Sequence, residues 1–271
     1  MESIIAALKR YLKRRLSPRD RERVERLLAR FSPAICLLFS NNLRALSELQ
    51  RTDKGGRHRY IQHYERHFRH LRRRKLNIFE IGVGGYDDPA VGANSLRMWK
   101  HYFRRSRIYS MDIYDKSPLE EDRIKIFRGS QDDPDLLRRI HREIGRLDII
   151  IDDGSHLNEH VIRTFEILFP LLEMGGIYVI EDVQTSYWPD HGGDSDDLGN
   201  PKTTMNFLKG LADCLNHEEF IRPGYVPSYY DRHIVAMHFY HNLVFIYKGM
   251  NNEGSNFIRN NSLPANARFE G

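Results

Sequence analysis

From Leu76 onward, short apolar runs rich in β-branched residues alternate with segments of helical period. This alternation constrains the fold more than any other feature of the chain. Leu76–Ile81, Ile108–Ile113, Ile124–Phe127, Leu147–Asp152 and Ile177–Ile180 predict strands. Ser95–Phe103, Pro134–Ile144, Glu159–Leu172 and Thr203–Leu215 predict helices, the third stopped by Gly175-Gly176. Ile234–Tyr240 and Leu243–Tyr247 flank His241-Asn242 and read as a closing antiparallel hairpin. Repeated strand–helix units imply a doubly wound, mostly parallel α/β sheet of seven strands. Ligands of such sheets bind beyond the carboxyl ends of the strands.

Two predicted strands stop abruptly on acids at that edge. IIIDDGSH (149–156) places Asp152, Asp153 and His156 after one run, and IYVIEDVQTSYW (177–188) places Glu181 and Asp182 after another. Acid pairs that meet at one sheet edge can bind a hard divalent cation beside a histidine base. As isolated residues these acids could equally be helix caps or solvated loop groups. Alternation turns Asp152 away from Asp153, so it is left out of the metal set.

The first strand ends in EIGVGGY (80–86), where Gly82 and Gly84 allow a tight turn and a close backbone approach to a ligand. The dinucleotide glycine pattern is incomplete, because Asp87 stands where its third glycine would be. Glu80 suits an ammonium-bearing ligand better than a pyrophosphate. Asp112, ending the next strand, can accept hydrogen bonds from both hydroxyls of a ribose, or simply cap a helix. Ser130 and Gln131 follow the third strand, where an amide could read an adenine edge; a turn before Pro134 explains them equally well.

Charge is uneven. Residues 1–75 hold 21 Lys and Arg against 7 Asp and Glu, and the remainder 21 against 30, giving +5 for the 271 residues. Ile4, Ile5, Leu8 and Leu12, then Val24, Leu27, Leu28 and Phe31, recur at helical spacing and predict short amphipathic helices. Glu22 and Glu25 interleave with arginines as on a solvated helix, which favours an oligomer-forming or substrate-covering segment over nucleic-acid or lipid contact. The division expected is a basic helical extension over 1–50 and a second domain over 51–271. No signal-peptide pattern opens the chain, and the longest apolar run near the start, Ala34–Phe39, is far short of the ~20 residues that span a bilayer. Cys36 and Cys214 have neither metal nor redox spacing. A soluble, cytoplasmic homo-oligomer is the expectation, with no nucleic-acid partner.

Glu80–Tyr86 together with Asp112 resembles the S-adenosylmethionine site of class I methyltransferases. More narrowly, DDGSH (152–156) and EDVQTSYW (181–188) resemble the sugar O-methyltransferases of macrolide biosynthesis, the macrocin and mycinamicin type. The resemblance runs from about Thr52 to Gly249 and includes TDKG (52–55) and HFYHNLVFIYKG (238–249). It implies a Rossmann-like methyltransferase domain and Mg²⁺ held by Asp153, Glu181 and Asp182, with His156 as general base. It also implies cofactor contacts from Glu80, Gly82, Val83, Gly84, Gly85, Tyr86, Ser95, Asp112, Ser130, Gln131 and Asp153. Those enzymes can carry a large N-terminal auxiliary domain ahead of the matched stretch, so substrate contacts and assembly are expected to differ here.

The residue chemistry agrees. A sugar hydroxyl is a poor nucleophile until its proton is removed or its oxygen meets a cation. Three carboxylates on octahedral Mg²⁺ would leave up to three positions, enough for two neighbouring hydroxyls. Tyr187 and Trp188 could wall a glycoside, and Tyr60 and Tyr64 could close over the site. His191–Asn200 reads as a lid or an ordinary surface loop. The expected activity is therefore Mg²⁺-dependent methyl transfer from S-adenosylmethionine to a sugar hydroxyl of a glycosylated natural product. Rivals are methylation of a catechol-like diol, a hydroxylase of related fold, and a nucleic-acid or membrane binder on a degenerate core.

Overall fold

The computed structural model describes Ser17, Asp20 and residues 34–264. The helices expected around Ile4–Leu12 and Val24–Phe31 lie outside the described residues. Strands β1 (Asn77–Ile81), β2 (Arg107–Asp112), β3 (Ile124–Arg128), β4 (Leu147–Asp152), β5 (Leu172–Glu181), β6 (Ile234–Tyr240) and β7 (Leu243–Lys248) form one sheet in the order β3-β2-β1-β4-β5-β7-β6. The chain divides into two compact units, residues 1–77 with 83–128 and residues 78–82 with 129–271.

In the first unit, β2 and β3 pair in parallel, with Ile108 opposite Ile124 and Asp112 opposite Arg128. Helices α1 (Leu43–Leu49), α2 (Ile61–Phe68) and α3 (Asn94–Tyr102) pack an aromatic core. Tyr64 meets Trp99 with ring centroids 4.9 Å apart, and Phe68 meets Phe103 at 5.7 Å. Offset and edge contacts of this kind add about 0.5–1.5 kcal/mol per pair beyond the area they bury. Leu43 and Leu46 of α1 are fully buried here, so this helix is not a detached extension. Tyr60 and Tyr64, expected to close over a substrate, are core residues with almost no exposed surface, and neither can wall a ligand.

In the second unit, β1, β4 and β5 are parallel, and β7 runs antiparallel between β5 and β6. Every residue of β4 is buried, as expected of a central parallel strand covered on both faces. Asp133 caps α4 (Pro134–Ile144) through the N–H groups of Asp135 and Leu136, and Pro134 at its start needs no hydrogen bond. Helix α5 (Asn158–Leu171) follows the acid-rich end of β4. Its last carbonyls are met by Lys248, whose Nζ donates to Phe169 O, Pro170 O and Leu172 O at 3.1, 2.9 and 2.6 Å. Helix α6 (Thr204–Asp213) is capped by Thr203, and the unforeseen one-turn helix α7 (Tyr229–His233) by a Ser228–Asp231 capping box. Strand β5 begins five residues before the predicted Ile177, with a register shift between the Leu147 and Ile149 pairings. Among the described residues, no helix is long and apolar enough to cross a membrane.

Candidate functional site

The two acid-terminated strands lie side by side, Asp152 opposite Ile180. Asp152 is buried, and Oδ1 accepts a hydrogen bond from Gln131 Nε2 at 3.2 Å; burial pushes its carboxyl up to about 7. It stands outside the group that Asp153, His156 and Asp182 form. The next peptide is pinned, because Asp153 N–H donates to Ile81 O at 3.1 Å. Gly82 permits this approach: at φ +95°, a Cβ there would stand 2.1 Å from Asp153 O.

At the end of β5, Glu181 is buried opposite Leu243, and the following Asp182 turns into the left-handed region at φ +54°. Val183 N–H then reaches the β6–β7 turn at Asn242 O, 3.3 Å away. The result is a tight group. Ligand atoms of Asp153, His156 and Asp182 all lie within 4.8 Å of one another. His156 Nε2 is 3.9 Å from Asp153 Oδ1 and 3.7 Å from Asp182 Oδ2, and His156 too has a left-handed backbone, φ +57°. Glu181, assigned to the metal from sequence, is not in this group. It is buried at the end of β5, one residue beyond the Asp152–Ile180 pair, and so has the parity of Asp153 and not that of Asp152.

The donor set fits Mg²⁺. Ligands about 2.0–2.1 Å from an octahedral centre stand about 2.9 Å apart when adjacent and about 4.2 Å when opposed. Asp153 and Asp182 offer ligand atoms within 4.8 Å of each other, a gap that a small contraction brings to such a spacing. Two carboxylates are the hard oxygen donors such an ion takes, and the imidazole beside them can accept a proton.

Ser130 and Gln131 lie in the turn after β3. The Ser130 hydroxyl donates to Asp132, which holds that carboxyl below the usual range. Gln131 is buried and its amide is engaged by Asp152, Ser155 and Thr164, which leaves no side-chain atom directed at an adenine edge. The sequence reading of this amide is corrected accordingly.

In the first unit, the glycine loop is folded on itself. Val83 N–H donates to Asp112 Oδ2 at 3.0 Å, and Tyr114 N–H to Oδ1 at 3.0 Å. Ala93 N–H returns to Val83 O, and Gly92 lies so close to Gly84 O that a Cβ would sit 2.4 Å from it. Gly84 itself, at φ +76°, has open space where its Cβ would be. That exposed backbone fits the close approach of a nucleoside-bearing cofactor. Gly85 and Tyr86 also have positive φ, and Tyr86 is 84% exposed. Ser95 is half-buried in the first turn of α3; Glu80, in the second unit, is fully buried in β1. Sequence reasoning missed Lys116, a buried lysine that donates to Asp88 O at 2.7 Å and Val91 O at 2.9 Å and so clamps the loop. A single lysine in a polar stretch carries no signal of this.

Beyond Asp182, Tyr187 and Trp188 are partly exposed, and Trp188 meets His191 edge-on at 5.7 Å. Asn158, also unforeseen, holds this segment: its Nδ2 donates to Thr185 O and His191 O, and its Oδ1 accepts Thr204 N–H. The loop expected as a lid is internally bonded, with Asp194 accepting from Asp196 N, Asp197 N and Asn200 Nδ2. It is an ordered surface loop.

A seven-stranded sheet with one antiparallel strand inside its closing edge, a glycine loop after the first strand and an acid ending the second define the class I methyltransferase fold. No protein-family model matches the chain. Over 221 residues it is 48% identical to demethylmacrocin O-methyltransferase of Streptomyces fradiae, covering 81% of this chain and 56% of that protein. It is 47% identical over 215 residues to mycinamicin VI 2''-O-methyltransferase of Micromonospora griseorubida, covering 79% and 54%. The MycE methyltransferase of the mycinamycin biosynthetic pathway, solved in complex with Mg and SAH, superposes with a TM-score of 0.76 at 47% identity, covering 79% of this chain and 56% of that one. A further MycE structure also holds mycinamycin VI, with a TM-score of 0.75, 47% identity and coverage of 79% and 55%. The chain spans about half the length of the curated relatives it matches.

Proposed function

We propose that the protein is a Mg²⁺-dependent O-methyltransferase that moves a methyl group from S-adenosylmethionine to a sugar hydroxyl of a glycosylated natural product. The observation that carries this reading is the Asp153–His156–Asp182 group. The relatives support it, since their names specify O-methylation of demethylmacrocin and of mycinamicin VI, and MycE was solved with Mg, SAH and mycinamycin VI.

In this reading Asp153, Glu181 and Asp182 form the carboxylate set for the cation, with Asp153 and Asp182 the pair that stands together beside His156. When bound, a divalent cation draws charge from a hydroxyl oxygen and makes its proton easier to remove. His156, at 3.7–3.9 Å from both carboxylates, takes that proton at Nε2. In the first unit Asp112 and the Gly84–Gly85 backbone bind the nucleoside part of the cofactor, with Ser95 as a further contact. Tyr187 and Trp188 offer apolar faces to the glycoside. Positioning of the sulfonium carbon in line with the hydroxyl then supplies much of the rate.

The test is calorimetry with S-adenosylmethionine, with and without Mg²⁺, on wild type and Asp153→Ala. Wild type gives a cofactor heat that Mg²⁺ alters, and Asp153→Ala loses the response to Mg²⁺; absence of any cofactor heat in wild type overturns the reading. His156→Ala keeps cofactor and metal binding and loses about 10²–10⁴-fold in turnover. Turnover of a deoxysugar-bearing macrolide compared with a catechol distinguishes the acceptor class.

A further inference from the structure

Gln131 is only 6% exposed, yet every polar atom of its amide is used. Oε1 accepts Ser155 N–H at 2.7 Å, while Nε2 donates to Asp152 Oδ1 and to Thr164 Oγ1, each at 3.2 Å. Chemistry fixes this orientation, because the Ser155 peptide N–H can only donate and so must face the amide oxygen. The Thr164 hydroxyl lies 2.6 Å from His160 O and 3.0 Å from Gln131 O, two acceptors that share its single proton. Gly154 packs directly on the amide, and a Cβ there would stand 2.1 Å from Oε1 and 2.8 Å from Ile81 Cγ2.

A second route links the same turn to the same serine. Ser130 Oγ donates to Asp132, and Asp132 Oδ2 lies 3.5 Å from His160 Nε2. His160 Nδ1 in turn lies 3.1 Å from Ser155 Oγ, which also accepts Leu157 N–H at 3.3 Å. Ser155 stands between Asp153 and His156, two members of the metal group. The bonds to Ser155 N–H and Leu157 N–H bracket His156, whose backbone lies in the left-handed region.

We infer that Gln131 is a positioning residue for the metal centre. Its buried amide sets the conformation of Asp152–Leu157, and so the geometry in which Asp153 and His156 meet Asp182. The inference rests on the proposed function. It makes Gln131 act on the metal through Ser155 and Asp152, and not on the cofactor by contact. Removing a group that orients metal ligands typically weakens metal binding without touching the ion.

The test is a titration of wild-type and Gln131→Leu protein with Mn²⁺, read by the electron paramagnetic resonance of the free ion, alongside metal-free S-adenosylhomocysteine binding. Folded Gln131→Leu binds Mn²⁺ about 10–100-fold more weakly and metal-free S-adenosylhomocysteine within about threefold of wild type. If Mn²⁺ affinity is unchanged and only the melting temperature falls, the amide is merely structural and the inference is overturned. A loss of S-adenosylhomocysteine affinity as large as the loss for Mn²⁺ overturns it too, since the residue then acts on the cofactor. Wild type that binds neither probe overturns the proposed function, and this inference with it. Should Gln131→Leu not fold, Gln131→Met and Thr164→Val carry the same expectation, the latter with a loss of about threefold; unchanged Mn²⁺ affinity in both overturns it.

Discussion

At His156 and Asp182 the backbone adopts the left-handed region with side chains that rarely occupy it, a conformation costing roughly 1–2 kcal/mol per residue. Such positions persist where surrounding bonds over-determine them, and they cluster where function demands a particular direction. Here they aim two of the three side chains of the metal group. Asp153, His156 and Asp182 were legible from sequence because each ends or follows an apolar run. The left-handed turns were not, since nothing in DDGSH or EDVQ distinguishes them from ordinary loop entries. Period-2 alternation turns Asp152 away from the edge, whereas Glu181, one residue beyond the Asp152–Ile180 pair, takes the parity of Asp153. Gly82 gives the sharpest residue-scale prediction. Gly82→Ala combines an unfavourable φ with a 2.1 Å approach to Asp153 O, so it lowers unfolding stability by more than about 2 kcal/mol in urea titration. A loss under about 1 kcal/mol would show that the Ile81–Asp153 junction relaxes freely.

Among elements, α5 depends on a charge supplied from β7. Lys248 Nζ meets three carbonyls at the helix end and lies over the rings of Phe169 and Tyr229, at 5.6 and 5.3 Å. Burial pushes this amine down to about 8 from its ordinary 10.5, with Glu173 opposing the shift. The unfolded chain therefore binds this proton more tightly than the folded one. Wild-type stability relative to Lys248→Met must then rise as pH climbs from 8 towards 10.5. Differential melting of the two proteins at pH 7 and pH 9.5 measures it, and a gap that narrows with pH refutes it. At pH 7, Lys248→Met leaves the three carbonyls without this donor and costs about 1–3 kcal/mol. The sequence showed α5 and β7 separately through their periods. It could not show that a lysine ending one strand caps a helix that ends 77 residues earlier, because that contact has no local pattern.

For the molecule as a whole, alternating strands and helices were enough to read the sheet, its closing hairpin and the edge where the acids gather. The unread part was what holds that edge together: Gln131, Asn158 and Lys116, buried polar residues whose partners are distant in sequence. A protein whose folded state alone gathers Asp153 and Asp182 gains stability from the ion. At a Mg²⁺ concentration 100 times the dissociation constant the gain is about 2.7 kcal/mol. Thermal melting with and without Mg²⁺ reads it, and Asp182→Asn removes most of the shift; an equal shift in that variant would place the ion elsewhere. The order of strands at the closing edge has a further consequence, which lies in synthesis. Strand β5 precedes β7 by some sixty residues, yet only β7 pairs with the free side of β5 and carries the turn that receives Val183 N–H. A nascent chain halted before residue 243 has its acids but no finished strand to present them. The chemistry is thereby postponed until almost the last described segment has left the ribosome.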